Sequence, residues 1–154
     1  MDYAISQKYT SIFDNYQKYS PIEMFNMGVL GGSYYRPVYS QVLKKELKND
    51  VPKYIRELVP DTKIMMPDYD VSKNYYKVKV GLSLPEWEEK GWIHPQDPRG
   101  FIDWYVKYYA GRRTPDDVRQ IKRWLSFKNR FKAMQKRYPD SLKIKQNLLE
   151  WAVK

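Results

Sequence analysis

Three stretches of this sequence carry the same helix-start signal, and this repetition is the strongest constraint on the fold. In Ser20-Pro21-Ile22-Glu23 a serine can cap a helix, proline stands at the first helical position and glutamate at the third. The order recurs in Ser83-Leu84-Pro85-Glu86 and, with aspartates, in Thr114-Pro115-Asp116-Asp117. Gly28 and Gly91 follow the first two signals as stops. These signals predict a mainly α-helical fold.

The segments between these signals carry weaker patterns. Pro37 to Leu58 predicts two short helices, with Asp50 capping the second and Pro52 in its first turn. Lysine alternates with apolar residues over 75–80, which predicts a strand with one face in water. Its partner strand is expected in one of two segments, Val29 to Tyr35 or Lys63 to Met66. The predicted fold class is therefore mainly α with a small β element.

Helices dominate the end of the chain. Residues 101–110 predict a helix of about three turns, and a longer amphipathic helix is expected over 115–137. Ser141 or Asp140 caps a last helix over 142–153, whose leucines suit docking onto a core.

The net charge of +10 comes from this same region. Residues 99–154 contain 15 Lys and Arg against 5 Asp and Glu, whereas residues 1–98 contain 13 of each. At 154 residues the chain is expected to form a single domain, 1–154, with a neutral N-terminal part and a basic helical C-terminal part. Such a surplus favours a nucleic-acid partner, DNA or RNA, through counterion release, or else an acidic surface.

Two absences limit the class of protein. The chain has no cysteine, which excludes disulfides, thiolate catalysis and cysteine zinc sites. Its first residues lack the basic start and apolar run of a signal peptide, and no run of about 18 apolar residues occurs. We therefore expect an intracellular protein of the nucleus, the cytoplasm or a virus particle, neither secreted nor partnered with a membrane.

An arginine stripe is predicted on the long helix. At about 100° per residue, Arg119, Arg123, Arg130 and Arg137 share one side, with Lys122 at its margin. The opposite side holds Val118, Ile121, Trp124 and Leu125, which suit burial. Arginine forks match phosphate oxygens, although such a face can also be merely solvated or paired with acids.

Arg112 and Arg113 precede the N-terminus of this helix, where free N–H groups favour anions. Both are candidates for phosphate contacts. Asp116 and Asp117 occupy the same first turn and either neutralise the site or simply cap the helix.

Aromatic residues are frequent in the basic part. Tyr105 and Tyr109 are candidates for stacking on unpaired bases, whereas helical spacing favours a core position for the tryptophans. The remaining aromatics of this region are Trp92, Phe101, Trp104, Tyr108, Trp124, Phe127 and Phe131.

No catalytic or cofactor pattern is present. The lone His94 lacks partners for a metal site or a nucleophilic triad, and the glycines near Gly31 lack phosphate-loop spacing. An enzyme would have to draw its acids, with Mg²⁺, from Asp97, Asp103, Asp116 and Asp117. We predict no cofactor and no metal.

Four segments, SPIEMFNMGVLGGSYYRPVYS, YYKVKVG, LPEWEEKGWI and LLEWA, surround a longer run from Asp97 to Trp124, DPRG…WY…YY.GRR..DD.RQI.RW. Together they resemble an uncharacterised family of small proteins met in large DNA viruses and in algal, plant and fungal genomes. The resemblance spans nearly the whole chain. It implies a compact domain, is compatible with a viral source and supplies no catalytic residue.

The function predicted from the sequence is binding of nucleic acid through its phosphate backbone, without marked sequence specificity. The alternative is a structural or adaptor protein, such as a component of a virus particle, that docks on an acidic partner. A metal-dependent nucleic-acid enzyme is the third hypothesis.

Overall fold

The computed structural model describes residues 3–154, which form seven α-helices and one two-stranded sheet. The helices are α1 (Tyr3–Asn15), α2 (Pro21–Met27), α3 (Lys53–Leu58), α4 (Leu84–Glu89), α5 (Phe101–Tyr109), α6 (Asp117–Arg137) and α7 (Leu142–Glu150). The strands are β1 (Val38–Ser40) and β2 (Lys45–Leu47), which pair antiparallel. The predicted class, mainly α with a small β element, is confirmed.

Two of the three predicted helix starts form for the expected reason, whereas α6 begins at Asp117 instead of Pro115 and its N-cap, Asp116, makes no side-chain capping bond. The Ser20 hydroxyl accepts the Glu23 N–H at 3.1 Å, and the Glu23 carboxylate accepts the Ser20 N–H at 2.9 Å. Ser83 and Glu86 form the same reciprocal box at α4, and Ser141 caps α7. Each box uses backbone donors that a helix end leaves free, so short polar motifs were enough to place these starts.

The predicted strand over 75–80 is wrong. The side chain of Asn74 donates to the Val78 carbonyl at 2.7 Å and accepts the Gly31 N–H at 2.8 Å, and Lys77 has a left-handed backbone with φ 58°. The N–H of Tyr76 donates to Gln146 of α7 at 3.0 Å. Side chains therefore take up backbone groups that a β-ladder would need.

The sheet forms instead where the first of the two short helices between Pro37 and Leu58 was predicted. Val38 faces Leu47 and Ser40 faces Lys45 across the hairpin. The turn is held by Glu88 of α4, whose carboxylate accepts the Gln41 N–H at 2.8 Å. The second predicted helix is present as α3, but Pro52 rather than Asp50 stands at its N-cap.

Helices from both ends of the chain pack on α5 and α6. Phe13 of α1, a helix that the sequence analysis did not predict, lies edge-on to Trp104 of α5 and to Trp124 of α6, with ring centroids 5.5 and 4.8 Å apart. The hydrophobic cluster joins Phe25 and Ile55 from the neutral part to these rings. The charge boundary near residue 98 therefore does not separate two cores. Over the described range, 3–154, no helix has the length and apolarity needed to cross a membrane.

Candidate nucleic-acid interface

The arginine that precedes α6 is paired inside the molecule. Arg112 makes a bidentate ion pair with Asp97, in which Nη1 and Nη2 lie 2.9 and 2.6 Å from the carboxylate oxygens. Lys107 Nζ lies 3.0 Å from the same carboxylate. Asp97 is only 1% exposed. Burial alone would raise the pKa of Asp97, but hydrogen bonds from Arg112 and Lys107 outweigh it and hold that pKa below its ordinary value. Arg112 thus stabilises a buried carboxylate.

The first turn of α6 contains its own anions. The carboxylate of Asp117 accepts the Thr114 N–H at 3.0 Å and the Trp104 indole N–H at 2.8 Å. Asp116 binds both Nε and Nη2 of Arg119, at 2.6 and 2.9 Å. The two aspartates therefore occupy the helix terminus at which the sequence left a phosphate site open, and Asp116 also holds Arg119.

Arg113 is exposed but rests on protein. Its guanidinium lies 3.6 Å from the centre of the Tyr108 ring and donates to the Tyr108 carbonyl at 2.8 Å. Of the two arginines predicted in this loop, only Arg113 has no carboxylate partner among residues 3–154.

Arg99 was not singled out by the sequence analysis, yet it is the most deeply buried cation of this region. It is 2% exposed, binds Asp50 at 2.7 and 2.9 Å, and donates to the Tyr34 carbonyl at 2.8 Å. A further contact reaches the Leu47 carbonyl in β2 at 3.4 Å. The run from Asp97 to Trp124 is therefore largely a network of internal ion pairs, and its near balance of arginine and aspartate was the signal for it.

The four aspartates considered for Mg²⁺ chemistry all have internal donors. Asp97, Asp116 and Asp117 make the contacts above, and Asp103 pairs with Lys107 at 3.2 Å. Within residues 3–154 no group of three or more His, Cys, Asp or Glu side chains is placed to hold a metal ion.

The second half of α6 has a different character. Residues 126–145, all within the described range, contain seven cations and one acid, Asp140, and Ile144 alone is buried. We call this segment the basic arm; its cations are Lys128, Arg130, Lys132, Lys136, Arg137, Lys143 and Lys145. Among residues 3–154, no ion pair involves any of them.

The predicted arginine stripe is thus divided. Arg130 and Arg137 are exposed on the basic arm, and Lys122 is exposed about one turn before it. Arg123 is half-buried, with its guanidinium 5.6 Å from the Trp92 ring and 5.9 Å from the Trp151 ring. Burial, aided by the charge of Arg119, lowers the pKa of Arg123. Arg119 is held by Asp116, so the stripe keeps two fully free arginines.

The two candidate stacking tyrosines differ in exposure. Tyr105 is 2% exposed and donates its hydroxyl proton to the Tyr19 carbonyl at 2.7 Å. It is a core residue, and the stacking prediction is wrong for it. Tyr109 is 56% exposed and lines a shallow cavity with Arg113, so its ring is accessible.

An aromatic cleft that the sequence analysis did not identify lies beside the basic arm. It has a volume of about 380 Å³ and includes Arg123 and the carboxyl group of Glu150. Its aromatic lining consists of Tyr34, Trp87, Trp92, Phe101, Phe127, Phe131 and Trp151. Helical spacing alone assigns such residues to a core, because it does not show whether another segment of the chain covers them.

No protein-family model, no curated protein and no solved structure matches this chain. Membership of the small-protein family that the sequence resembles stays a prediction, and function is inferred from geometry and charge.

Proposed function

We propose that this protein binds nucleic acid through phosphate contacts made by the basic arm, without marked sequence preference. The observation that carries the proposal is a solvent-exposed segment with seven cations, one acid and no internal ion pair within the described range. Unpaired cations on a surface leave a strong potential, which phosphates neutralise with release of counterions.

The paired arginines do not belong to this surface. Arg112 and Arg119 would have to leave Asp97 and Asp116 to reach a phosphate, and Asp97 would then remain buried without its partner. The proposed contact residues are therefore Arg130 and Arg137 with the arm lysines, assisted by Lys122. Arg123 is half-buried just before the arm, and Arg113 is exposed at the opposite end of α6.

The contacts proposed for the basic arm join lysine and arginine side chains of α6 and of the start of α7 to phosphate oxygens. Contacts of this kind position a protein on the backbone and carry little sequence information. The proposal therefore predicts similar affinities for unrelated sequences of the same length.

The test is a titration of labelled random-sequence duplex, followed by fluorescence anisotropy between about 50 and 200 mM salt. We expect affinity to fall steeply over that range. The triple variant Arg130→Gln, Lys136→Gln, Arg137→Gln should flatten the logarithmic salt slope by about one unit for each phosphate contact removed.

A matched control removes three exposed charges elsewhere, by Lys45→Gln, Lys48→Gln and Lys53→Gln. This variant has the same net charge as the arm variant, so it should keep the wild-type slope. Equal slopes for the two variants would contradict the assignment to the arm. Absence of binding at about 50 mM salt would overturn nucleic-acid binding and favour the acidic protein partner.

A further inference from the structure

The aromatic cleft beside the basic arm is built from stacked rings. Phe131 and Phe127 lie 4.1 Å apart between ring centres and 16° from parallel, and Phe127 and Trp151 are 4.4 Å and 21° apart. Phe101 continues the series 4.4 Å from Trp151. This aromatic column runs from half-buried rings on α6 through Trp151 to a buried ring on α5. Trp92 lines the same cleft outside the column and, at 39%, is its most exposed ring, so it offers stacking surface to a ligand.

One carboxylate, that of Glu150, belongs to the lining of the cleft, and the amide of Asn147 lies beside it in the same lining. Glu150 is 7% exposed, and both hydrogen bonds that it makes with described residues, from the Leu30 N–H at 3.2 Å and Gln146 at 3.0 Å, go to Oε2. Oε1 lies toward Gly81, where an added Cβ would stand 4.0 Å from it and meet no other atom within that distance. The second oxygen is therefore held in place and left free to accept a proton donor.

Cations border the same cleft. Arg123 lines it, and the guanidinium of Arg130 lies 5.7 and 5.2 Å from the Phe127 and Phe131 rings. An organic cation would suit aromatic faces and a carboxylate, but it would meet Arg99 and Arg123 in a chain of net charge +10. A neutral planar ligand joined to an anion agrees better with rings, an acceptor and arginines together.

We propose that the aromatic cleft takes one unpaired nucleobase, guanine in preference to the others, from a strand whose phosphates lie on the basic arm. This inference rests on the proposed function and adds to it the single-stranded form of the ligand and the base that it presents. Unpaired bases stack on aromatic side chains and are recognised by hydrogen bonds to their Watson–Crick edges.

The preference for guanine follows from the carboxylate oxygen that Glu150 leaves without a hydrogen bond among the described residues. Guanine presents two adjacent donors, N1–H and the N2 amino group, and both can point at Oε1 of Glu150. Adenine and cytosine place a ring acceptor beside their amino group, which a carboxylate oxygen would repel. Uracil and thymine place their one ring donor between two carbonyl oxygens, with the same result.

The test uses single strands of about 12 thymidines with a central dG, dA or abasic position, and duplexes made from them, at about pH 8, above the raised pKa of about 7 at which Glu150 loses its proton. The wild-type protein should bind the dG strand about tenfold more tightly than the abasic strand, because one stacked base is added. Trp92→Ala should abolish that difference and leave duplex affinity unchanged. Tyr39→Ala is the matched control, since Tyr39 is an exposed aromatic outside the cleft, and it should behave as wild type. Tyr109→Ala tests the other candidate stacking ring and should keep the base-dependent difference.

Glu150→Gln separates base choice from stacking. This variant keeps the size of the side chain and should reduce the preference for dG over dA to about twofold or less while the dG strand still binds more tightly than the abasic strand. An unchanged preference for dG, or loss of the base-dependent difference in Tyr109→Ala rather than in Trp92→Ala, would overturn the inference.

Failure of this inference and failure of the proposed function give different results. If strands and duplexes bind with a steep salt dependence but the central base makes no difference, the basic arm binds phosphates and the cleft takes no base. If neither form binds, both proposals fail. Saturable quenching of tryptophan fluorescence by tetramethylammonium but not by guanosine monophosphate would overturn the inference and assign the cleft to an organic cation.

Discussion

The two halves of α6 carry similar cations in opposite settings. In the first turn, Arg119 faces Asp116, and Arg112 in the preceding loop faces Asp97. In the basic arm, Arg130 and Arg137 have no carboxylate partner within residues 3–154. The comparison teaches that the number of arginines on a helix face says little about binding. Local access to carboxylates decides whether each one stabilises the fold or remains free for a ligand.

The largest effect is expected from a variant that disrupts the network of internal ion pairs. Arg99→Ala should lower the free energy of unfolding by about 4 kcal/mol, because it empties a fully buried site and leaves the Tyr34 and Leu47 carbonyls without their donor. Arg137→Ala, in the basic arm, should change it by less than about 0.5 kcal/mol. Urea unfolding of both variants at pH 7 measures the difference. Similar small losses for the two variants would remove the distinction between the regions.

A smaller effect is expected at the edge of the network. Arg112→Gln should cost about 2 kcal/mol at neutral pH, since Asp97 stays buried while Arg112 itself is 29% exposed at its side chain. The pKa of Asp97 is lowered in the folded protein, so its ionisation stabilises the fold above its ordinary pKa of about 4 and this contribution is lost as the pH falls. The difference from wild type should therefore shrink below that pH.

The control for this pH dependence is Arg130→Gln, in the basic arm. Its urea unfolding curves, recorded from acid to neutral pH, should parallel those of the wild-type protein. A difference between Arg112→Gln and the wild type that stays constant with pH would contradict the role of Asp97.

The smallest effect concerns Glu150, the acid of the aromatic cleft. Its contribution to stability changes with pH in the opposite direction to that of Asp97. Burial raises the pKa of Glu150 from 4.5 to about 7, so the folded state holds a proton that the unfolded state has already lost between these values. Stability contributed by this group is present below the lower value and is lost as the pH rises through about 7. The free energy of unfolding of Glu150→Gln should therefore rise by about 1 kcal/mol relative to that of the wild type between pH 5 and pH 8. The full pKa difference would correspond to about 3 kcal/mol, and we expect less because Oε1 faces the open cleft.

Thermal or urea unfolding of Glu150→Gln and wild type at the two pH values measures this gain. Gln146 and the Leu30 N–H keep an oxygen acceptor in the variant, so the local hydrogen bonds are matched. An identical stability difference at both pH values would show that Glu150 does not titrate in this window.

The helix starts were predictable because their interactions are local. Ser20 with Glu23, and Ser83 with Glu86, lie three residues apart, so adjacent letters contain the whole contact. The hairpin was not predictable in this way. Its turn depends on Glu88, which is 47 positions from Gln41 along the chain. The segment 75–80 follows the same rule, since Gln146 accepts its backbone N–H from 70 positions away.

The candidate site shows the same difference between local features, which the sequence predicts, and contacts between residues far apart in the chain, which it does not. Helical periodicity correctly placed Arg130 and Arg137 on one side of α6, because both the spacing and the exposed face are properties of that helix. It could not show that Arg112 meets Asp97, nor that Tyr105 is sealed against Tyr19, 86 positions away. Periodicity could not show the aromatic cleft either, because the rings that line it come from separate segments of the chain.

The sequence by itself determined the helical class, the caps and the excess of positive charge in the last third, since these depend on residue type and short spacing. Only the tertiary structure decided which arginines are neutralised, where the two strands pair and which aromatic rings face a cleft. The physical reason is range. Capping and periodicity act within a turn or two of helix, whereas ion pairing and burial depend on which distant segments the folded chain brings into contact.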